Sequence, residues 1–300
     1  MKLCQMDHRC YYFQGPVNVG YINQGDDGVL IDTGIDKQVM KHIIRQLHEK
    51  SLPITHLFIT HAHADHYGGA KFLQNQTNIL TFAPKIEEAI LRNPVLEPMY
   101  LLQGNRPLDE LRNKFLEAPP IAIDHIVTEG LMCFGSIEVE LIALPGHSVN
   151  QLGVKAGNIM YAADGYFGTE QLEKHRIPFI IDADATLATI EKLLSLTNVG
   201  MVPGHGTYEE NPAQTLIRNY DHHVSIVTTM YETLQEYKEG CSFEIFMKEM
   251  CKRWEVSLPS LSVWSLYRTA LYAYIIKGIE DKRVTYQIKD YSPYFFLLEE

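Results

Sequence analysis

The sequence predicts a layered α/β fold followed by a small, largely helical C-terminal module. Three observations predict it. Short apolar runs alternate with turn signals through residues 1–210, interrupted by a helical periodicity. Seven residues with metal-ligating side chains lie close behind such runs, where strands should end. Beyond Pro212 the apolar residues recur every three or four positions, the period of an amphipathic helix. A chain of 300 residues has room for one large domain with an appendage.

Taken in order, Tyr21-Ile22-Asn23 and Val29-Leu30-Ile31 read as strands on either side of the polar turn Gln24–Gly28. Val39, Ile43, Ile44 and Leu47 then mark one face of a helix. Leu57–Thr60, Ile79–Phe82, Ile137–Leu144, Ile159–Ala163 and Gly200–Val202 are further strands. Residues 86–124 differ in character, with Pro94, Pro98, Pro107, Pro119 and Pro120. They read as short helices in an insertion, either a surface excursion or a lid over a site. In the tail, Leu216, Tyr220, His223, Val227, Met230, Leu234 and Tyr237 share one helical face. Phe243–Cys251 and Leu261–Lys277 follow as helices, then Arg283–Ile288 and Tyr294–Leu298 as a strand pair. This pattern describes a winged-helix-like module over 213–300, attached to a larger α/β domain over 1–212.

Composition narrows the partners. The apolar fraction of 46% and charged fraction of 21% suit a chain that packs a core. A formal net charge of −11 opposes broad electrostatic capture of nucleic acid. No signal peptide or membrane span is expected, and five scattered cysteines without a C-x-x-C pair suit reduced thiols in the cytoplasm. The expected partner is a small-molecule substrate, with a homodimer through the C-terminal module as a further expectation.

The strongest local signal is Thr60-His61-Ala62-His63-Ala64-Asp65-His66-Tyr67-Gly68-Gly69. Four potential metal ligands fall within six residues, directly after an apolar strand. Imidazole and carboxylate suit zinc and similar ions in a site that activates water. Histidines two apart in an extended segment point the same way, so His61 and His63 can share one ion, while the following turn aims Asp65 and His66 toward a second. His147 follows Leu141–Gly146, Asp164 follows Ile159–Ala163, and His205 follows Met201–Gly204. Ligands at neighbouring strand ends can converge on one sheet edge. A lone buried histidine is more often structural, but seven such residues at one kind of position argue for a site.

The string His61-Ala62-His63-Ala64-Asp65-His66 resembles the H-x-H-x-D-H signature of the metallo-β-lactamase superfamily. Asp32-Thr33-Gly34, Pro145-Gly146-His147, Ala163-Asp164-Gly165 and Gly204-His205-Gly206 match its other motifs in order. The resemblance covers about residues 15–210. It implies an αββα sandwich with two divalent metal ions along one edge, zinc foremost, with manganese or iron also suited to the ligands. It implies that His61, His63 and His147 hold the first ion, Asp65, His66 and His205 the second, and that Asp164 bridges them. Asp32 would support the site from behind its ligands. Histidine at His63, where flavodiiron relatives carry glutamate, opposes oxygen reduction. Aspartate at Asp164, where zinc β-lactamases usually carry cysteine, turns the chemistry from β-lactams toward the thioesterase, lactonase and phosphodiesterase branches. Asn150-Gln151 replaces a second Gly-His found in glyoxalase II and many relatives.

The implied chemistry is hydrolysis of an ester, thioester or lactone by a hydroxide bridging two ions, because metal coordination lowers the pKa of water to about 7. Asp65 is expected to orient that hydroxide or accept its proton. Tyr67 and Tyr166 adjoin ligands, so either phenol could serve a developing oxyanion or simply pack; Tyr166 is the expected catalytic donor. His175 is a weaker candidate, Ser148 reads as a turn or supporting residue, and His222 and His223 read as capping or interface residues at the start of the tail's first helix. The tail is similar to that of β-lactamase-like protein 2 relatives, some of them nucleases, which keeps a phosphodiesterase or ribonuclease as the alternative. Yet Leu261–Lys277 carries only Arg268 and Lys277 as basic residues. A metal-binding regulatory protein without turnover and a mononuclear iron dioxygenase complete the alternatives.

Overall fold

The computed structural model describes residues 1–298. The first sheet runs in chain order: β1 (Lys2–Gln5), β2 (Cys10–Gln14), β3 (Val19–Gln24), β4 (Asp27–Ile31), β5 (His56–Phe58), β6 (Leu80–Pro84) and β7 (His125–Val127). Its first four strands are antiparallel, and β4 to β7 are parallel. The second sheet is a run of antiparallel neighbours, β8 (Gly130–Phe134), β9 (Ile137–Ala143), β10 (Leu152–Ala156) and β11 (Ile159–Ala163). It is closed at one edge by β12 (Gly200–Pro203), parallel to β11.

Side-chain alternation along the strands builds the layers. On β4, Val29 and Ile31 face β9 and β11 of the other sheet, while Leu30 faces helices. On β11, Ile159 and Tyr161 face inward, and Met160 and Ala162 face outward. The helices α1 (Lys37–Glu49), α2 (Ala64–Tyr67) and α3 (Ala70–Gln76) cover the outer face of the first sheet. Asp36 caps α1 by accepting from the backbone of Gln38 and Val39, and Met40, Ile43 and Leu47 are its buried stripe. The insertion supplies α4 (Glu87–Arg92), α5 (Leu96–Leu101) and a single 3-10 turn at Asp109–Leu111. Two helices, α6 (Thr169–His175) and α7 (Ala183–Ser195), complete this part, with α7 on the outer face of the second sheet. The expected αββα sandwich is present.

The tail begins with α8 (Ala213–Gln235), then β13 (Cys241–Ser242), α9 (Phe243–Arg253) and α10 (Leu261–Glu280). The ribbon β14 (Val284–Lys289) and β15 (Ser292–Leu297) follows, with β15 between β13 and β14. Its core, including Met230, Phe246, Met250 and Tyr274, runs without a break into Ile177 and Ile180 ahead of α7 and into Ala183 at its start. His222 and His223 lie in the middle of α8, not at its start as expected. They do serve as contacts: Nε2 of His222 is 2.6 Å from the Arg176 carbonyl, and Nδ1 of His223 is 2.7 Å from the Tyr274 hydroxyl. No helix among the described residues is long and apolar enough to cross a membrane.

Candidate metal centre

The seven ligand-type residues converge from both sheets. His61 to His66 occupy the turn and short helix α2 that follow β5, while His147, Asp164 and His205 follow β9, β11 and β12. His61, His63 and His147 present donor atoms within 4.8 Å of one another, as do His61, His66 and Asp164, and again Asp65, His66 and His205. Asp164 stands between the groups. Its Oδ1 is 3.4 Å from Nε2 of His66, and its Oδ2 lies 3.3 Å from Nε2 of His147 and 3.4 Å from Nε2 of His205.

The outer face of each ring is fixed by the surrounding backbone or side chains. Nδ1 of His61 meets the Thr60 hydroxyl at 3.0 Å, that of His147 the Phe179 carbonyl at 2.9 Å, and that of His205 the Pro16 carbonyl at 2.8 Å. Nδ1 of His66 is held 2.8 Å from Oδ2 of Asp32. Four rings thereby turn Nε2 toward the centre, as second partners of metal-ligating histidines do. His63 presents Nδ1 instead, 2.8 Å from Nε2 of His147. Asp32 also accepts from the Thr60 backbone and hydroxyl, and holds a left-handed backbone conformation (φ 65°) that aspartate rarely adopts. Gly204 cannot carry a side chain here, because a Cβ would fall 2.0 Å from Oδ1 of Asp164.

The charges are strongly coupled. Burial alone would depress His205, but Asp164 and Asp65 outweigh it and push its imidazole up to about 10. His66 likewise rises, against its burial, because Asp164 and Asp32 flank it. His63 is driven down to about 3 by burial and by His147. The acids Asp65 and Asp164 are held ionised despite burial by the histidines around them. Nε2 of His61, Nε2 of His66 and Oδ1 of Asp164 are buried without a hydrogen-bond partner. Leaving such atoms unpaired costs about 1–3 kcal/mol each. Divalent cations would satisfy all three, and imidazole with carboxylate is the donor chemistry they take.

Two supporting residues had no recognisable sequence signal. Glu87, 1% exposed on α4, accepts from the backbone N–H groups of Ala62 and Asn150 and from the Ser148 hydroxyl, joining the two ligand loops. Gln151 accepts from the backbone N–H of Asp164. Ser148 is therefore a supporting residue, as read from sequence.

A cavity of about 470 Å³ opens onto His63, Asp65, His147, Asp164 and His205. Its walls come from Val17 and Ile35, from Phe115 and Leu116 of the insertion, and from Leu266 and Tyr267 of α10. His175 also lines it. Tyr166 does not, which corrects the expected oxyanion role. It is 2% exposed and packs with Leu144, Met201 and Leu216 on the outer face of the second sheet. Tyr67 is also turned away, bonded through its hydroxyl to the backbone of Ala118.

Comparison with known proteins agrees with this geometry. The Burkholderia ambifaria beta-lactamase domain protein superposes with a TM-score of 0.74 at 13% identity, covering 99% of this chain and 93% of that one, a likeness of fold. Lactamase-like protein nscB of Neosartorya fischeri is 24% identical over 198 residues, 65% of this chain and 49% of that protein. This chain thus spans about half the length of that relative. The Beta-lactamase-like protein 2 homolog of Caenorhabditis elegans is 23% identical over 254 residues, 82% of this chain and 75% of its own. The family profile of the metallo-beta-lactamase superfamily matches residues 12–205, and the chain belongs to that superfamily.

Proposed function

We propose that this protein is a binuclear metal-dependent hydrolase of an ester, thioester or lactone. The observation that carries the reading is the mainly apolar cavity set directly on the histidine and aspartate clusters. His61, His63 and His147 would hold one ion, Asp65, His66 and His205 the other, and Asp164 both. When bound, two divalent ions, zinc foremost, supply Lewis acidity and lower the pKa of water to about 7. Asp65 borders the cavity and is held ionised, so it would orient an attacking water, accept its proton and deliver that proton to the departing alkoxide or thiolate. Leu116, Leu266 and Phe179 would hold an apolar acyl group over the centre.

We read residues 1–212 as the catalytic domain, 86–124 as a wall or lid of its pocket, and 213–300 as a winged-helix-like module. The order of helix, short strand, two helices and ribbon supports the last reading. So does the extent of similarity to the nematode protein. Nucleic-acid binding by this module is disfavoured because both basic residues of α10 are engaged. Arg268 lies over the rings of Tyr272, Phe243 and Trp264, and Lys277 pairs with Asp184 and Asp281. The five cysteines are unpaired, in keeping with a cytoplasmic protein. A homodimer through the tail is part of the same proposal, read by sedimentation.

The test is turnover of thioester, lactone and bis-nitrophenyl phosphate panels by protein of measured metal content. Acyl substrates should lead, and His63→Ala and Asp164→Ala should each lose activity by roughly a hundredfold or more. Full activity in either variant, or preference for the phosphodiester, overturns the reading.

A further inference from the structure

Glu97 is a buried acid that makes no side-chain hydrogen bond among the described residues. It stands on α5, is 3% exposed, and lines the same cavity as the metal-ligand candidates. Its Oε2 is buried without a hydrogen-bond partner. The contrast with Glu87 is direct, since that carboxylate is equally buried but receives three hydrogen bonds. An unpaired buried carboxyl destabilises a fold, so one that faces a cavity calls for a partner from outside the chain. The cavity's polar lining residues, Gln171, Lys174 and His175 among them, make no hydrogen bond to Glu97, and Val17, Ile35, Phe115 and Leu116 are apolar.

We propose that Glu97 is a specificity-determining residue, hydrogen-bonded to a hydroxyl group carried on the acyl part of the substrate. The proposal rests on the ester, thioester or lactone reading above. A hydroxyl satisfies the carboxyl in either ionisation state, by donating to a carboxylate or by donating to and accepting from the acid. Burial, with Asp65 and Glu87 adding negative charge, raises the carboxyl well above its usual range and favours the second arrangement. A carboxyl held neutral by burial offers a cationic substrate group no ion pair. The substrate class is therefore a hydroxyacyl compound rather than a plain fatty acyl one.

The test uses the metal-loaded protein, Glu97→Gln and Glu97→Leu. The probes are decanoyl thioesters of N-acetylcysteamine, unsubstituted or with one hydroxyl at successive carbons, and binding of the corresponding free acids is measured by calorimetry. At one carbon position the hydroxylated probe should be preferred about tenfold or more, because a site built around a substrate hydroxyl rejects its absence. Glu97→Gln should keep most of that preference, and Glu97→Leu should lose it. The Glu97→Leu protein should also melt at a higher temperature, whereas a merely structural glutamate would lower the melting point on removal. Equal preference in wild type at every position, or preference retained in Glu97→Leu, overturns the proposal. Binding preference without thioester turnover would instead sink the hydrolase reading and leave the role of Glu97 standing.

Discussion

Nδ1 of His66 lies 2.8 Å from Oδ2 of Asp32, and both side chains are almost wholly buried. The aspartate ends one strand and the histidine sits on the short helix after the next, so this contact sets the angle of the ligand turn against the sheet. It also fixes which ring nitrogen faces inward. Asp32→Ala should weaken the affinity for one of two ions by about 10- to 100-fold while leaving the other in place. Chelator competition that releases the ions in two separated steps would bear this out. Two ions lost together, or none weakened, would contradict it.

Glu87 and Ser148 share a hydrogen bond, yet their removal should differ in consequence. Glu87→Ala strands the N–H groups of Ala62 and Asn150 as well as the Ser148 hydroxyl. A loss of about 3 kcal/mol or more in stability is expected, with weaker metal retention. Ser148→Ala removes one donor and should cost about 1 kcal/mol, with activity within a few-fold of wild type. Denaturant titration and steady-state rates separate the two. Loss of all activity in Ser148→Ala would make that serine a nucleophile and the present reading wrong.

Leu266 comes from the tail yet borders the cavity, where it packs with Leu101, Leu111 and Leu116 of the insertion. Leu266→Trp should narrow the far end of the cavity. We expect KM for decanoyl substrates to rise about tenfold and that for acetyl or butyryl substrates to hold, as the loss of a few buried methylenes implies. A uniform fall in kcat across chain lengths would place Leu266 outside the acyl wall.

His223 predicts a pH dependence away from the metal centre. Burial pushes its imidazole down to about 3, and Tyr274 bonds its Nδ1. The folded state thus resists a proton that the unfolded chain accepts below pH 6.5. The stability held by the neutral ring is present above pH 6.5 and is lost progressively as pH falls toward 3. Relative to His223→Gln, the wild type should lose about 1.4 kcal/mol per pH unit in that window. Parallel curves for the two proteins between pH 6.5 and 5 would show that His223 is charged in the fold.

Much of the site was readable because all its ligands but His147 follow strands buried on both faces. Ile159–Ala163 is apolar throughout, so the aspartate after it stands out. Strands at sheet edges gave no such signal. Leu131 on β8 is 92% exposed and Ile126 on β7 is 52% exposed, so neither strand shows an apolar pattern tied to burial. The helix α7 buries Thr186 and Thr189 beside Ile190 and Leu193, so its inward face is not marked by apolar residues alone. Glu87 and Glu97 were invisible for a related reason. An acid on a short helix reads as a solvated face, and only the tertiary contact distinguishes it. Tyr166 failed as a sequence inference because adjacency to Asp164 along the chain says nothing about direction once the turn after β11 reverses it.

His61 and His205 lie 144 positions apart, and the candidate ligands between them are shared by two sheets that complete at different times during synthesis. A nascent chain that has extruded the first sheet owns one ion's ligands only in part, and lacks the residue that joins the two groups until Asp164 emerges. Loading of both ions would therefore be a late event, waiting on β12 and on His205 behind it. Cells short of the ion would accumulate chains that are sound within each sheet and loose along their shared edge.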